Sequence, residues 1–143
     1  MTKEQLLERF QNSAKILQLK EKLKDFEKGH ITLKGFCGSA PAVYGGTLMQ
    51  TIKQPQLFIV NDKEEAAYFV NDLESIIGQD KVFYFPSSSR LPYQIEKTDN
   101  ANVLHRAEIL ATLTKRSRPV CIVTYPEALS EKVSTKKQLQ QNT

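Results

Sequence analysis

Apolar positions ahead of His30 recur at helical spacing, and beyond it short apolar runs alternate with longer amphipathic stretches. Thr2-Lys3-Glu4-Gln5 has the form of a capping box, in which the Thr hydroxyl and the Gln side chain satisfy orphan amides at a helix start. Leu6, Leu7 and Phe10 follow as a short apolar face. Asn12 or Ser13 can cap a second helix, with Ile16, Leu19, Leu23 and Phe26 as its stripe. The stripe lasts under two heptads, so it reads as a docking face rather than a coiled coil. Lys28-Gly29 ends it.

Strands and helices then alternate. The first strand is expected over Ile31 to Leu33, followed by a loop and a helix from Pro41 to about Ile52. Proline suits a first helical turn, where its missing N–H has no intrahelical partner. Gly45-Gly46 inside that helix costs roughly 1 kcal/mol per glycine against alanine, which points to close approach of another backbone. Leu57-Phe58-Ile59-Val60 is a continuous apolar run, as in strands covered on both faces. Asp62-Lys63-Glu64-Glu65 opens a helix that buries Ala66, Phe69, Val70, Leu73 and Ile77, and Gly78 stops it. Val82 to Phe85 is the next strand, closed by Pro86. A polar loop from Ser87 to about Thr98 leads to a helix over Asn100 to Lys115, with Val103, Leu104, Ala107, Leu110 and Leu113 inward. Val120 to Val123 is the last strand, Tyr125 to Leu129 starts a short helix, and Lys136 to Gln141 forms another turn.

This alternation predicts an α/β fold: a parallel sheet with helices on both faces, preceded by N-terminal helices. Residues 1–29 form the helical segment and 30–143 the α/β domain. Gln141-Asn142-Thr143 is not a natural ending, so the chain is expected to be the first part of a larger protein. The 143 residues, 40% hydrophobic and 25% charged, suit one globular domain. The net charge of +4 is mild, and the N-terminal lysines are interspersed with Glu21, Asp25 and Glu27, as on a solvated helix face. Cys37 and Cys121 lie far apart beside apolar runs and read as buried free thiols. A polar N-terminus and the lack of any run near 20 apolar residues predict a cytoplasmic chain without a membrane partner.

The segment with the most chemical content is Gly35-Phe36-Cys37-Gly38-Ser39-Ala40-Pro41-Ala42. A phosphate-binding loop needs G-x-x-x-x-G-K-[ST]: glycines to curl the backbone round phosphates, a lysine for their charge and a hydroxyl for Mg²⁺. In register, Gly35 takes the first glycine position, Ala40 the second, Pro41 the lysine and Ala42 the hydroxyl. Cation and metal ligand are both missing, and Pro41 removes a backbone donor. The segment reads as a vestigial phosphate loop that does not hydrolyse ATP, or as an ordinary strand–loop–helix turn.

Other constellations fall short of a site. Ser39 is no nucleophile elbow, since Cys37 and Pro41 stand where G-x-S-x-G needs glycine. His30 and His105 have no partner at metal-ligand spacing. Ser87-Ser88-Ser89-Arg90 follows a strand, where hydroxyls and an arginine can bind phosphate or carboxylate, although serines after Pro86 are also ordinary loop chemistry. Glu96, Asp99 and Glu108 are explained by capping and solvated helix surface. No catalytic residue and no metal site are assigned.

The chain resembles the N-terminal segment of the bacterial transcription-repair coupling factors, the Mfd family. The resemblance rests on Gly35 to Ala40, on Ile59-Val60-Asn61-Asp62 through Ala66-Ala67-Tyr68-Phe69, and on Phe85-Pro86-Ser87-Ser88. Its strongest part runs from Pro92-Tyr93-Gln94-Ile95-Glu96 to His105-Arg106-Ala107-Glu108, followed by Ile122 to Leu129 and Gln141-Asn142-Thr143. That segment of the family is similar to the first domain of the repair protein UvrB, which keeps a working phosphate loop and a tyrosine-rich DNA hairpin. Here the hairpin region shrinks to Ser87 through Tyr93. The resemblance implies a RecA-like domain acting as a non-catalytic scaffold, with no cofactor of its own. It also implies a full-length protein that uses ATP and Mg²⁺ to translocate on double-stranded DNA, release stalled RNA polymerase and recruit UvrA. The partners of this domain would then be adjacent domains of the same protein. No functional residue of the motors, or of the UvrA- and polymerase-binding surfaces, carries over to this chain.

Two other readings compete. One is a nucleotide hydrolase with an atypical loop, but Lys34 precedes the loop and Lys53 stands roughly 18 Å along the helix from its start. The other is a stand-alone nucleic-acid-binding module using the N-terminal lysines, against which the aromatics fall mostly in core patterns.

Overall fold

Three of the apolar runs form one parallel sheet. The computed structural model describes residues 2–24, 28–52, 54–88, 100–115 and 119–133. Strands β1 (Gln56–Ile59), β2 (Val82–Tyr84) and β3 (Cys121–Thr124) lie in the order β1-β3-β2. Phe58 and Tyr84 both pair with Val123, and Leu57 and Phe83 both pair with Ile122. Successive side chains alternate across a strand, so these two sets point to opposite faces.

Helices α3 (Ala40–Thr51) and α4 (Lys63–Ile77) cover the Phe58 face. The Phe58 ring lies against Gly45 and 5.0 Å from the Phe69 ring, and Cys121 Sγ is 3.1 Å from Met49 Sδ. Leu73 and Ala66 are fully buried in this layer. On the Leu57 face, Ile122, Phe85 and Thr124 share a groove with Leu110 and Leu113 of α5 (Asn100–Lys115) and with Ala128 of α6 (Pro126–Ser130). The architecture is α/β, as the alternation predicts.

Helices α1 (Lys3–Gln11) and α2 (Ala14–Lys24) pack on the outer side of α3. The Thr2 capping box forms, with Gln5 N–H donating to Thr2 Oγ1 at 3.3 Å and Thr2 N–H to Gln5 Oε1 at 3.0 Å. Ser13, rather than Asn12, caps α2 by accepting from Ile16 N–H at 3.4 Å. Phe10 meets Tyr44 edge-on at 6.0 Å, and Ile16 and Leu19 are buried. Phe26 and the turn expected over Lys136 to Gln141 lie outside the described residues.

Several expectations need correction. No strand forms over Ile31 to Leu33; the segment runs beside α2 instead, with Ile31 half-buried and Leu33 exposed. Two apolar side chains are too few to hold a ladder, and the Phe36 ring, 4.8 Å from Tyr44, ties the segment to α3. Gly45 and Gly46 admit side chains, not another backbone: an added Cβ would lie 2.5 Å from Phe58 Cζ and 2.7 Å from Ile76 Cγ2 respectively. Among the described residues β1 is covered on one face only, with Leu57 and Ile59 exposed on the other. In α5, Leu110 and Leu113 pack inward as expected, but the most buried residues are Arg106 and Ile109, while Val103, Leu104 and Ala107 are exposed. Carbonyls and a carboxylate draw Arg106 inward and rotate the helix away from its purely apolar phase. Cys37 is exposed, because its loop lies outside the sheet; Cys121 is buried, and burial pushes its thiol up to about 12.

Candidate functional site

Two loops stand where the sequence points to an anion, one before α3 and one after β2. In the first, Gly35 (φ +88°) and Gly38 (φ +53°) adopt left-handed backbone that favours glycine. Ala40 N–H folds back onto Cys37 O at 3.2 Å, and α3 starts with Pro41 in its first turn. Ser39 sits at the N-cap without a side-chain capping bond. Ala42 is fully buried in the core, so no hydroxyl at its position faces a ligand.

A cleft of 520 Å³ opens between this loop and the carboxyl end of β1, where open parallel sheets place their ligands. Its lining includes Gly38, Ser39, Pro41 and Ile59, with Glu65 and Asp72 of α4, and no lysine or arginine among the described residues. Glu65 accepts from Asn61 N–H at 2.9 Å and from Asn61 Nδ2 at 2.6 Å, which holds its carboxylate at the cleft. A second cleft, of 420 Å³, lies on the other side of the same loop between α2 and residues 31–36. Lys15, Lys22 and Lys34 line it. Lys34 shares that cleft with Gly35 and with Ala40 at the start of α3, on the side of the loop away from Glu65 and Asp72, and Lys53 lies outside the described residues.

The loop after β2 holds a real anion, supplied by the chain itself. Glu131 accepts from Ser88 N–H at 2.9 and 3.0 Å and from the hydroxyls of Ser87 and Ser88. Arg106, 5% exposed, donates through Nη1 to Pro86 O at 2.6 Å and to Ala128 O at 2.9 Å, and lies 3.5 Å from Glu131 Oε2. Its guanidinium stands 4.2 Å above the Phe85 ring, a cation–π geometry. Its Nη2 is buried with no hydrogen-bond partner among the described residues. Tyr125 Oη accepts from Ser87 N–H at 2.9 Å, Asn102 Nδ2 donates to Ser87 O at 3.0 Å, and Thr124 Oγ1 donates to Phe85 O at 3.0 Å. Burial, with Tyr125 next, raises the Tyr84 phenol above its usual range.

Ser87 and Ser88 therefore do bind a carboxylate, but an internal one, and the arginine is Arg106; Arg90 and Ser89 lie outside the described residues, as do Glu96 and Asp99. The network ties the ends of β2 and β3 to α5 and α6. It contains no histidine, and His30 and His105 are exposed. Among the described residues no group of His, Cys, Asp and Glu is arranged to hold a metal, and no helix is long and apolar enough to cross a membrane. The sequence reading missed Arg106, Tyr125 and Glu131. A signal was present: Asn102 and Arg106 are spaced i, i+4, on the side of α5 that also carries Ile109 and Leu113.

A scan against protein-family models found no match to this chain, and neither did searches of curated proteins and of solved structures.

Proposed function

We propose that this chain is a non-catalytic, UvrB-like scaffold domain of the transcription-repair coupling family, built on a RecA-like sheet and lacking nucleotide chemistry of its own. The observation that carries the non-catalytic part is the cleft beside Gly38 and Pro41. On the β1 side of the loop the lining brings Glu65 and Asp72 and, among the described residues, no cation. A nucleotide bringing several negative charges meets like charge there, whereas a working loop supplies lysine and metal. The order of the stretches from Gly35 to Leu129 supports the family. On this reading ATP, Mg²⁺, DNA, RNA polymerase and UvrA are ligands of the full-length protein, and this domain positions its neighbours.

The coding sequence beyond Thr143 tests the family. A UvrB-like continuation followed much later by intact helicase motifs is expected; an unrelated continuation overturns the assignment. An ATPase assay on the chain tests the domain's role, with no turnover above buffer expected and steady turnover contradicting it.

A further inference from the structure

The outer edge of β1 carries no strand among the described residues. Gln56 and Val60 donate their N–H groups to Val120 O at 2.9 Å and Thr124 O at 3.0 Å, on the β3 side. In a parallel ladder Phe58 shares that orientation, so the N–H and C=O groups of Leu57 and Ile59 point outward. Their side chains are 53% and 56% exposed. Exposed edges are normally blunted by charge, proline or a bulge. Gln56-Leu57-Phe58-Ile59-Val60 contains neither charge nor proline, and its register with β3 is unbroken.

The edge also joins two concavities. Leu57 opens onto an apolar groove of 210 Å³ with Leu110, Leu113, Leu129 and Val133. Ile59 borders the 520 Å³ cleft, whose charged lining is Glu65 and Asp72. We propose that the β1 edge is a docking site for an extended segment of another polypeptide, added as a strand, apolar at alternate positions and basic where it passes Glu65 and Asp72. The outward amides specify an extended backbone, the grooves specify alternate apolar side chains, and the carboxylates specify the charge. A second copy of this chain fits less well, since its own β1 edge brings no charge to those carboxylates. The proposal stands on the sheet edge and is independent of the family reading.

The test is amide hydrogen exchange read by NMR on the full chain. The probe is a capped heptapeptide with valine at alternate positions, threonine between them and lysine at both ends. In the free protein the amides of Leu57 and Ile59 exchange faster than that of Phe58. Saturating peptide slows both by at least about tenfold and leaves Phe58 unchanged. Ile59→Lys, at an exposed position, weakens peptide binding by about tenfold while Phe58 stays protected. Replacing the peptide's lysines by glutamates sets like charge against Glu65 and Asp72 and weakens binding by about tenfold at low salt. No slowing with the peptide, or equal slowing by a peptide N-methylated at the pairing amides, overturns the proposal. Protection of Leu57 and Ile59 that grows with protein concentration alone assigns the edge to a second copy and also overturns it. Protection in a longer version of the chain that refuses the peptide does the same, in favour of an occupant in cis.

Discussion

The loop before α3 has the outline of an anion site and an acidic lining; the loop after β2 has an ordinary composition and holds a carboxylate. In the first, the glycines take the left-handed backbone a phosphate loop uses, yet the neighbouring helix contributes Glu65 and Asp72. In the second, two serines, a backbone N–H and Arg106 converge on Glu131 from two parts of the chain. Backbone shape alone does not make an anion site. The charge brought across by the next element decides it.

The largest expected effect comes from emptying the second loop of its cation. Arg106→Ala takes the cation from Glu131 and the donor from Pro86 O and Ala128 O, and removing one member of a buried ion pair costs about 3–5 kcal/mol. Chemical denaturation checks it; a loss under about 1 kcal/mol would mean that the network contributes little. Next comes the seat of the first loop. Gly45→Ala drives a methyl into the Phe58 ring, and overpacking of this kind costs about 1–3 kcal/mol. Thermal melting should show the loss, and Phe58→Leu in the same background should recover part of it. If Gly45→Ala is stabilising, α3 is not seated on β1 as described.

Glu131→Gln keeps the shape of the second loop and removes its charge. A hydrogen bond to a charged group contributes about 1.5–3 kcal/mol, against about 1 for a neutral one, so the loss should be near 1–2 kcal/mol. A neutral outcome would show that geometry, not charge, holds Ser87 and Ser88. The smallest effect on stability belongs to the first loop. Ala40→Gly and Pro41→Lys restore the second glycine and the lysine of the phosphate-loop pattern while leaving the fully buried Ala42 in place, and should give weak phosphate binding without turnover, because hydrolysis also needs a carboxylate for the metal and a water-positioning group. Equilibrium dialysis with inorganic phosphate reads it. Failure to bind would count against placing Pro41 at the lysine position.

Much of this contrast was legible in sequence, and the illegible part has a physical cause. The caps at Thr2 and Asp62, the stop at Gly78 and the span of α5 follow local rules, and local rules sufficed. Glu65, expected to complete a capping box with Asp62, instead reaches one residue further back, to Asn61. The phase of α5 was lost because apolar spacing alone says nothing of Arg106, whereas carbonyls remote in sequence make its burial favourable. The acidic lining beside Gly38 was illegible for the same reason: Glu65 and Asp72 belong to the next helix, and only the packing of α4 on the sheet brings them there.

Isothermal titration of the wild-type chain with ATP and Mg²⁺ tests the central claim most directly. A loop with Pro41 and Ala42 in place of lysine and hydroxyl, whose cleft beside β1 carries two carboxylates, should give no saturable heat at ligand concentrations up to about 1 mM, where even a weak site of about −4 kcal/mol would register. Saturable binding in the micromolar range, abolished by Gly38→Val, would place a nucleotide at that loop and contradict the account.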